Sequence, residues 1–331
     1  MGSDDITVPS FCSDNGVSEQ CPLERAYIHY LPNVPANAIY LSIFAILLLA
    51  HARQAWRYST WDFSVPLFLG TTLEILGYLG RLMLAGNPWK FDYFMLYLVP
   101  LTIAPALISI SIYLLLGRVV AIKGLEHSRL KPRTYAIVFI VFDQISLVLQ
   151  AVGGGFAGAA TTKKTLDLGV HIMMAGLVAQ VFFSLIFLSL WAEFSWKARK
   201  AAKMGAVGGK GEFAELAASK KLKRFEFAIA TATILIFIRS TFRTIELSEG
   251  FGGKLANDEP LFMVLEGPMI FCAIALMLAY HPGRVFGQLY GMTNWKRLVE
   301  VQRSSDYTLR AEEMMVHGRG SGHGHALREV K

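Results

Sequence analysis

Seven apolar runs recur along the chain, each close to the roughly 20 residues an α-helix needs to cross about 30 Å of hydrocarbon. Backbone N–H and C=O groups in that medium must be satisfied inside the segment, so runs of this length read as spanning helices. The spans are expected at Asn37–Gln54, Ser64–Ala85, Tyr93–Gly117, Thr134–Gly155, Leu168–Ala192, Glu226–Leu247 and Leu261–His281. Composition agrees, since 53% of residues are apolar and only 17% charged. The fold class is therefore all-α, a polytopic membrane protein of seven transmembrane helices. The expected organisation is a segment 1–36 outside, a membrane domain 37–281 and a largely disordered cytosolic tail 282–331.

Orientation follows from Lys and Arg, because basic loops resist translocation. With the first span running inward, 24 of the 32 basic residues fall in inner loops and the tail, five fall outside, and Arg81, Arg239 and Arg243 lie within spans. The N-terminus is expected outside and the C-terminus in the cytosol. The net charge of +7 then suits an anionic inner leaflet and needs no nucleic acid. Trp56, Trp61, Trp89, Trp191, Trp196 and Trp295 all fall at expected span ends or just beyond, where an amphipathic ring suits the headgroup layer. No apolar run precedes Asn37, so the first span is expected to serve as the insertion signal. Cys12 and Cys21 share the external segment, an oxidising place, and are expected to form a disulfide; the plain alternative is two separate thiols.

The sixth span presents an energetic problem. Its ten Leu, Ile and Phe residues gain about 0.3–0.6 kcal/mol each, while Arg239, Arg243 and Glu246 cost roughly 2.5–3.5 each at mid-membrane. The three lie within about 60° on the helix, forming one stripe that must find partners on neighbours. Matching stripes exist: Glu74, Tyr78 and Arg81 in the second span, Asp143, Ser146 and Gln150 in the fourth, Gln180 in the fifth and Glu266 in the seventh. These residues are expected to line a polar cavity in the outer half of the bundle. A network that only locks the helices together is the structural alternative. Pro100 and Pro105 should interrupt the third span, Pro268 should kink the seventh, and Gly153, Gly154 and Gly155 should loosen the end of the fourth, giving helix breaks suited to a gate. Gly154 and Gly158 also fit GxxxG spacing.

Enzymatic chemistry finds no support. "GAVGGKGE" lacks both the first Gly and the Ser or Thr of a phosphate loop. His171 stands near the outer end of its span, whereas His51 and His281 stand near inner ends as interface residues, too far apart for one zinc. No cofactor or metal is expected.

The stretches "YIHYLPNVPANAIYLSIF", "GTTLEILGYLGR", "ISIYLLLGRVV", "FDQISLVLQAVGGG", "GLVAQVFFSLIF", "IRSTFRTIELSEG" and "LEGPMIF" to "HPGR" follow one another from Tyr27 to Arg284. In that order they resemble the signatures of the fungal RTA-like, or lipid-translocating exporter, family. The resemblance implies seven helices, export of sphingoid long-chain bases, resistance to toxic amphiphiles and drugs, and in one branch porphyrin traffic. It assigns the charged motif positions to Glu74, Arg81, Asp143, Gln150, Arg239, Arg243 and Glu246 here. Glu266 stands where an Asp is expected, after Leu265 instead of an aromatic, a departure that bears on pocket shape.

The residues and the resemblance meet on one expectation: a lipid exporter of the plasma membrane with an amphiphilic, amine-bearing cargo and no enzymatic activity. The alternative is a seven-helix receptor signalling through the basic segment Lys197–Arg224. The orientation is directly checkable. An epitope tag ahead of Met1 should bind antibody on intact cells, and a tag after Lys331 only once the membrane is permeabilised; the reverse pattern would overturn the assignment.

Overall fold

The computed structural model describes residues 28–123, 132–204, 212–248 and 255–292, together with Cys21, Leu23, Ala26 and Gly253. Cys12 and Trp295 lie outside the described residues, as does most of the tail expected from 282.

The first helix, α1 (Val34–Tyr58), starts where Asn33 accepts a hydrogen bond from the Ala36 amide at 3.0 Å and stops at Ser59, in the left-handed region at φ 51°. There follow α2 (Trp61–Gly86), α3 (Phe91–Lys123), α4 (Pro132–Gly158), α5 (Lys163–Lys203), a short α6 (Glu212–Ala218) and α7 (Lys220–Ser248). The last span is α8 (Glu259–Leu265) followed directly by α9 (Gly267–Ala279), after which His281 caps α10 (Pro282–Phe286). A separate unit, 288–331, contributes α11 (Leu289–Met292). Seven segments are long and apolar enough to cross a membrane, in the order the sequence prescribes. The chain is an integral membrane protein.

Neighbouring helices close a ring, α1–α2–α3–α4–α5–α7–α9 and back to α1, with α3 also touching α7 across the middle. In α3, 67% of the most apolar stretch is buried, against 22% in α1, so α3 is the inner helix and α1 presents most of its surface outward. An all-round apolar helix can occupy such a place. At the end carrying the α1–α2 turn, here the basic end, α3 is tied to α2 by Arg118 on Asp62 and to α7 by Lys123 on Glu226 at 2.7 Å.

Several expected boundaries shift. α5 runs on to Lys203, past Ala192, because nothing in "EFSWKARKAAK" stops a helix and Lys197 pairs with Glu193 at 2.7 Å one turn back. α3 is one helix through both Pro100 and Pro105, not an interrupted span. The break in the last span falls at Glu266, which ends α8 and begins α9, with Pro268 in the first turn of α9, where a missing N–H costs nothing. α4 stays helical through Gly153, Gly154 and Gly155.

Close helix approach uses other glycines than the GxxxG spacing suggests. A Cβ at Gly153 would lie 2.4 Å from the Met173 nitrogen, so this residue lets α5 pack on α4, whereas Gly154 meets only the Met173 sulfur at 4.0 Å, Gly155 meets nothing, and Gly158 faces the Phe91 ring. Belt positions divide too: Trp56, Trp61 and Trp196 are exposed, but Trp191 is buried and Trp89 packs under Cys21 and Ala26. Cys21 is disulfide-bonded and fully buried. His51 and His281 are buried as well, in place of the interfacial setting expected for them.

The α2–α3 contact is close in the same way, for a Cβ at Gly80 would lie 2.5 Å from the Tyr97 nitrogen. Gly80→Ala should therefore cost about 1–3 kcal/mol and lower the thermal midpoint in detergent by roughly 2–10 °C. Gly86→Ala, with open space at its Cβ, should leave the midpoint unchanged.

Candidate functional site

Helical spacing on α2 puts Glu74, Tyr78 and Arg81 on one face, and all three are buried. Arg81 stands nearest the far end, opposite the basic one. Its Nε donates to Asn37 Oδ1 on α1 at 2.8 Å, both terminal nitrogens donate to the Tyr30 hydroxyl at 3.1 Å, and one reaches Glu259 Oε1 on α8 at 3.4 Å. The guanidinium also lies over the Phe262 ring at 4.0 Å and the Tyr97 ring at 5.1 Å. Burial pushes the Tyr30 phenol up to about 12, with Arg81 opposing, so it stays neutral and accepts both N–H groups. The same Glu259 oxygen accepts the Asn33 amide at 2.6 Å, stitching the entry of α1 to the start of α8.

Deeper in the bundle, α7 brings its stripe against α3 and the α8–α9 break. Arg243 donates to Glu246 at 2.7 Å, one turn away, and to the Tyr97 hydroxyl at 3.5 Å. Arg239 donates to Glu266 and to the carbonyl of Leu101. That carbonyl has a cause: Pro105 has no N–H, and the oxygen it leaves unsatisfied is four residues back, at Leu101. The carbonyl released by Pro100, that of Leu96, lies instead against Gly80. Arg239 thus takes up the oxygen that Pro105 releases, and the absence of a side chain at Gly80 leaves room for the one that Pro100 releases.

Glu74 sits within electrostatic reach of Arg239, Glu266 and Arg243, yet neither of its oxygens has a hydrogen-bond partner among the described residues. The Tyr78 hydroxyl, one turn on, has none either, although its ring stacks on Tyr40 and Phe44 at 5.3 and 5.5 Å. Glu266 Oε2 is likewise unpartnered. Four oxygens on α2 and at the α8–α9 break are thus buried and unpartnered among the described residues, as are two N–H groups of α7, on Arg239 Nε and Arg243 Nη2.

The remaining candidates gather elsewhere, among α3, α4 and α5. Asp143 accepts from the Tyr113 hydroxyl at 2.8 Å, beside Ser109 and Ser184, and Gln150 donates to Gln180 at 3.0 Å. Ser146 is buried on the same face of α4, where Gly176 brings α5 close to the Ser146 carbonyl. The single cavity expected from the sequence is thus two polar groups, one rich in charge and one built from an acid, hydroxyls and amides. Pro100 and Pro105 serve the first group, and Gly153 the packing of the second. Tyr30, Asn37, Tyr97, Glu259 and Phe262 join the first group without having been singled out in the sequence. Of these, Asn37 carried a readable sign, a buried amide at the mouth of an apolar run.

Removing Arg239 strands a carboxylate and a carbonyl together. Arg239→Ala should lose roughly 3–5 kcal/mol. Adding Pro105→Ala to that variant returns an N–H for the Leu101 carbonyl and should recover part of the loss. Thermal unfolding of the two single variants and the double variant measures the coupling, and strict additivity would refute it.

Comparisons with known proteins bear on these helices directly. The family described as RTA1 like protein matches residues 67–289, from α2 through the last span. The Saccharomyces cerevisiae "Sphingoid long-chain base transporter RSB1" is 32% identical over 280 residues, which cover 77% of this chain and 73% of that protein. "Protein RTM1" of the same yeast is 30% identical over 247 residues, covering 74% of this chain and 76% of the relative. Its "Protoporphyrin uptake protein 1" is 29% identical over 224 residues, covering 67% and 70%. No solved structure matches. A family match over most of the membrane domain and relatives aligned along nearly three quarters of their length lead to one conclusion: the chain belongs to the RTA1-like protein family.

Proposed function

We propose that this protein exports amphiphilic lipids of the sphingoid long-chain base type, or similar cationic amphiphiles, across the plasma membrane, with its N-terminus outside and no chemical step of its own. Glu74 carries the reading: it is a buried carboxylate with both oxygens unpartnered among the described residues. The relative named as a sphingoid long-chain base transporter supports the cargo class.

An ammonium headgroup is a compact cation with three donors and no acceptor. The unused atoms of Glu74, Tyr78 and Glu266 are all able to accept, so they complement an amine. A phosphate or carboxylate would bring further acceptors and negative charge beside Glu74 and Glu266, with only Arg239 Nε and Arg243 Nη2 as unpartnered donors to set against them. Arg239 and Arg243 are each already paired with an acid, Glu266 and Glu246, which leaves Glu74 as the acid of this group with no hydrogen-bonded partner for an incoming cation to displace. The apolar body of such a cargo would remain in the hydrocarbon that surrounds the bundle.

Reconstitution of the purified chain in vesicles with labelled sphingosine tests this. The wild type should move the label across the bilayer, and Glu74→Gln should slow initial movement at least about tenfold. Because the variant replaces an unpartnered buried acid with a neutral amide of the same shape, its thermal stability should hold or rise. A parallel fall in stability and transport would return Glu74 to a structural role. Saturable binding without movement would favour a receptor acting through the basic segment 197–224 instead.

A further inference from the structure

Six buried side-chain atoms around Glu74 lack a hydrogen-bond partner among the described residues, and they are of two kinds. Glu74 Oε1 and Oε2, Glu266 Oε2 and the Tyr78 hydroxyl are oxygens that accept. Arg239 Nε and Arg243 Nη2 can only donate, because a guanidinium has no acceptor and keeps its proton.

Both kinds belong to one group. Glu74 is within electrostatic reach of Arg239, Arg243 and Glu266, and Tyr78 within reach of Glu74 and Glu266. A Cβ at Gly267 would lie 2.7 Å from the Tyr78 hydroxyl, which sets that oxygen beside the start of α9, next in the chain to Glu266. Arg239 and Arg243 stand one turn apart on the same face of α7, each 2% exposed. Arg239 gives Nη2 to Glu266 and the Leu101 carbonyl, and Arg243 gives Nη1 to Glu246 and Tyr97. The spare nitrogens share a rigid plane with the spent ones, so neither turns to another protein acceptor without breaking a bond already made.

An alkylammonium has three donors and no acceptor, so it answers the oxygens and leaves both arginine N–H groups unanswered. A phosphate answers the N–H groups but sets its charge against Glu74 and Glu266. A hydroxyl does both: its oxygen accepts from a guanidinium while its hydrogen goes to a carboxylate or to Tyr78. The complement is therefore an amine flanked by hydroxyls, and two spare nitrogens match two of them.

We infer, resting on the export proposed above, that Arg239 Nε and Arg243 Nη2 read hydroxyl groups beside the cargo's amine, so that the favoured headgroup is an amino-diol and not an amine alone. Glu74 selects for charge, and the two arginines select among the cations. They do so with atoms that the ion pairs leave over, so the same side chains hold the bundle and choose its cargo. A bare amine in this place leaves two buried donors unpaired, or makes each hold a water that must be ordered with the cargo.

Three saturated amines of equal chain length test this on the full-length chain in vesicles: sphinganine with two hydroxyls, 1-deoxysphinganine with one, and octadecylamine with none. Initial movement, corrected for protein-free vesicles, should fall in that order, with sphinganine at least about tenfold faster than octadecylamine at equal low concentration. Arg243→Lys keeps a cation for Glu246 and loses Nη2, and Arg239→Lys keeps one for Glu266 and loses Nε. Each should lower the sphinganine-to-octadecylamine ratio at least about threefold. A loss of folded protein lowers both rates alike and cancels in the ratio, and the wild-type ratio needs no variant. Equal movement of all three amines would overturn the inference and leave export standing. A preference unchanged in both variants would take the hydroxyl reading away from these arginines. Movement of none would remove the export reading, and this one with it.

Discussion

The bundle rests on the accommodation of a single backbone oxygen. α3 is the inner helix, and Pro105 deprives it of one ladder bond at the carbonyl of Leu101. Hydrocarbon cannot repair that loss, so the repair comes from Arg239 of α7. Arg239 brings a charge that needs an acid at the same depth, and Glu266 supplies it from the point where α8 gives way to α9. The discontinuity of the last span and the charges of α7 are therefore one solution to one problem, each unfavourable alone and mutually satisfied together.

Helical period explains why so much of this was legible. Positions three, four and seven apart share a face whatever surrounds them, so the stripes on α2 and α7 could be drawn from the sequence. The Leu101 oxygen was legible in the same way by counting back four from Pro105. Period says nothing of how each helix is rotated or how deep its neighbour's polar groups lie. Asp143, Gln150 and Gln180 are a coherent face of α4 and α5, but that face turns to Tyr113, lower on α3, and not to Glu74.

Other differences arise where a residue's type does not determine its surroundings. Trp89 has the composition of a headgroup anchor, yet Cys21 and Ala26 cover it, so it is a packing residue under the chain that precedes α1. Tyr30 and Glu259 are ordinary for loops and helix starts, and only the meeting of α1, α2 and α8 at the far end makes them partners of Arg81. Lys200 and Lys203 extend α5 because charged helix formers continue a helix as well as apolar ones once water replaces lipid.

The first polar group is uneven along its axis, and the unevenness has a direction. Arg81 is saturated, gathering Asn37, Tyr30, Glu259 and two aromatic rings, whereas Glu74, seven residues and about 10 Å toward the basic end, has both oxygens unused. The Arg81 layer consequently lies between Glu74 and the far end. Its most open link is the ion pair to Glu259, at 3.4 Å with Glu259 partly exposed, and Glu259 belongs to α8, a helix of seven residues joined to α9 only through Glu266. Glu259 also accepts the Asn33 amide, and Phe262 of the same short helix packs on Tyr97 of α3, so α8 is tied to α1 and α3 as well as to Arg81. The layer that separates Glu74 from the far end is thus built jointly by α1, α2, α3 and α8, with Arg81 at its centre.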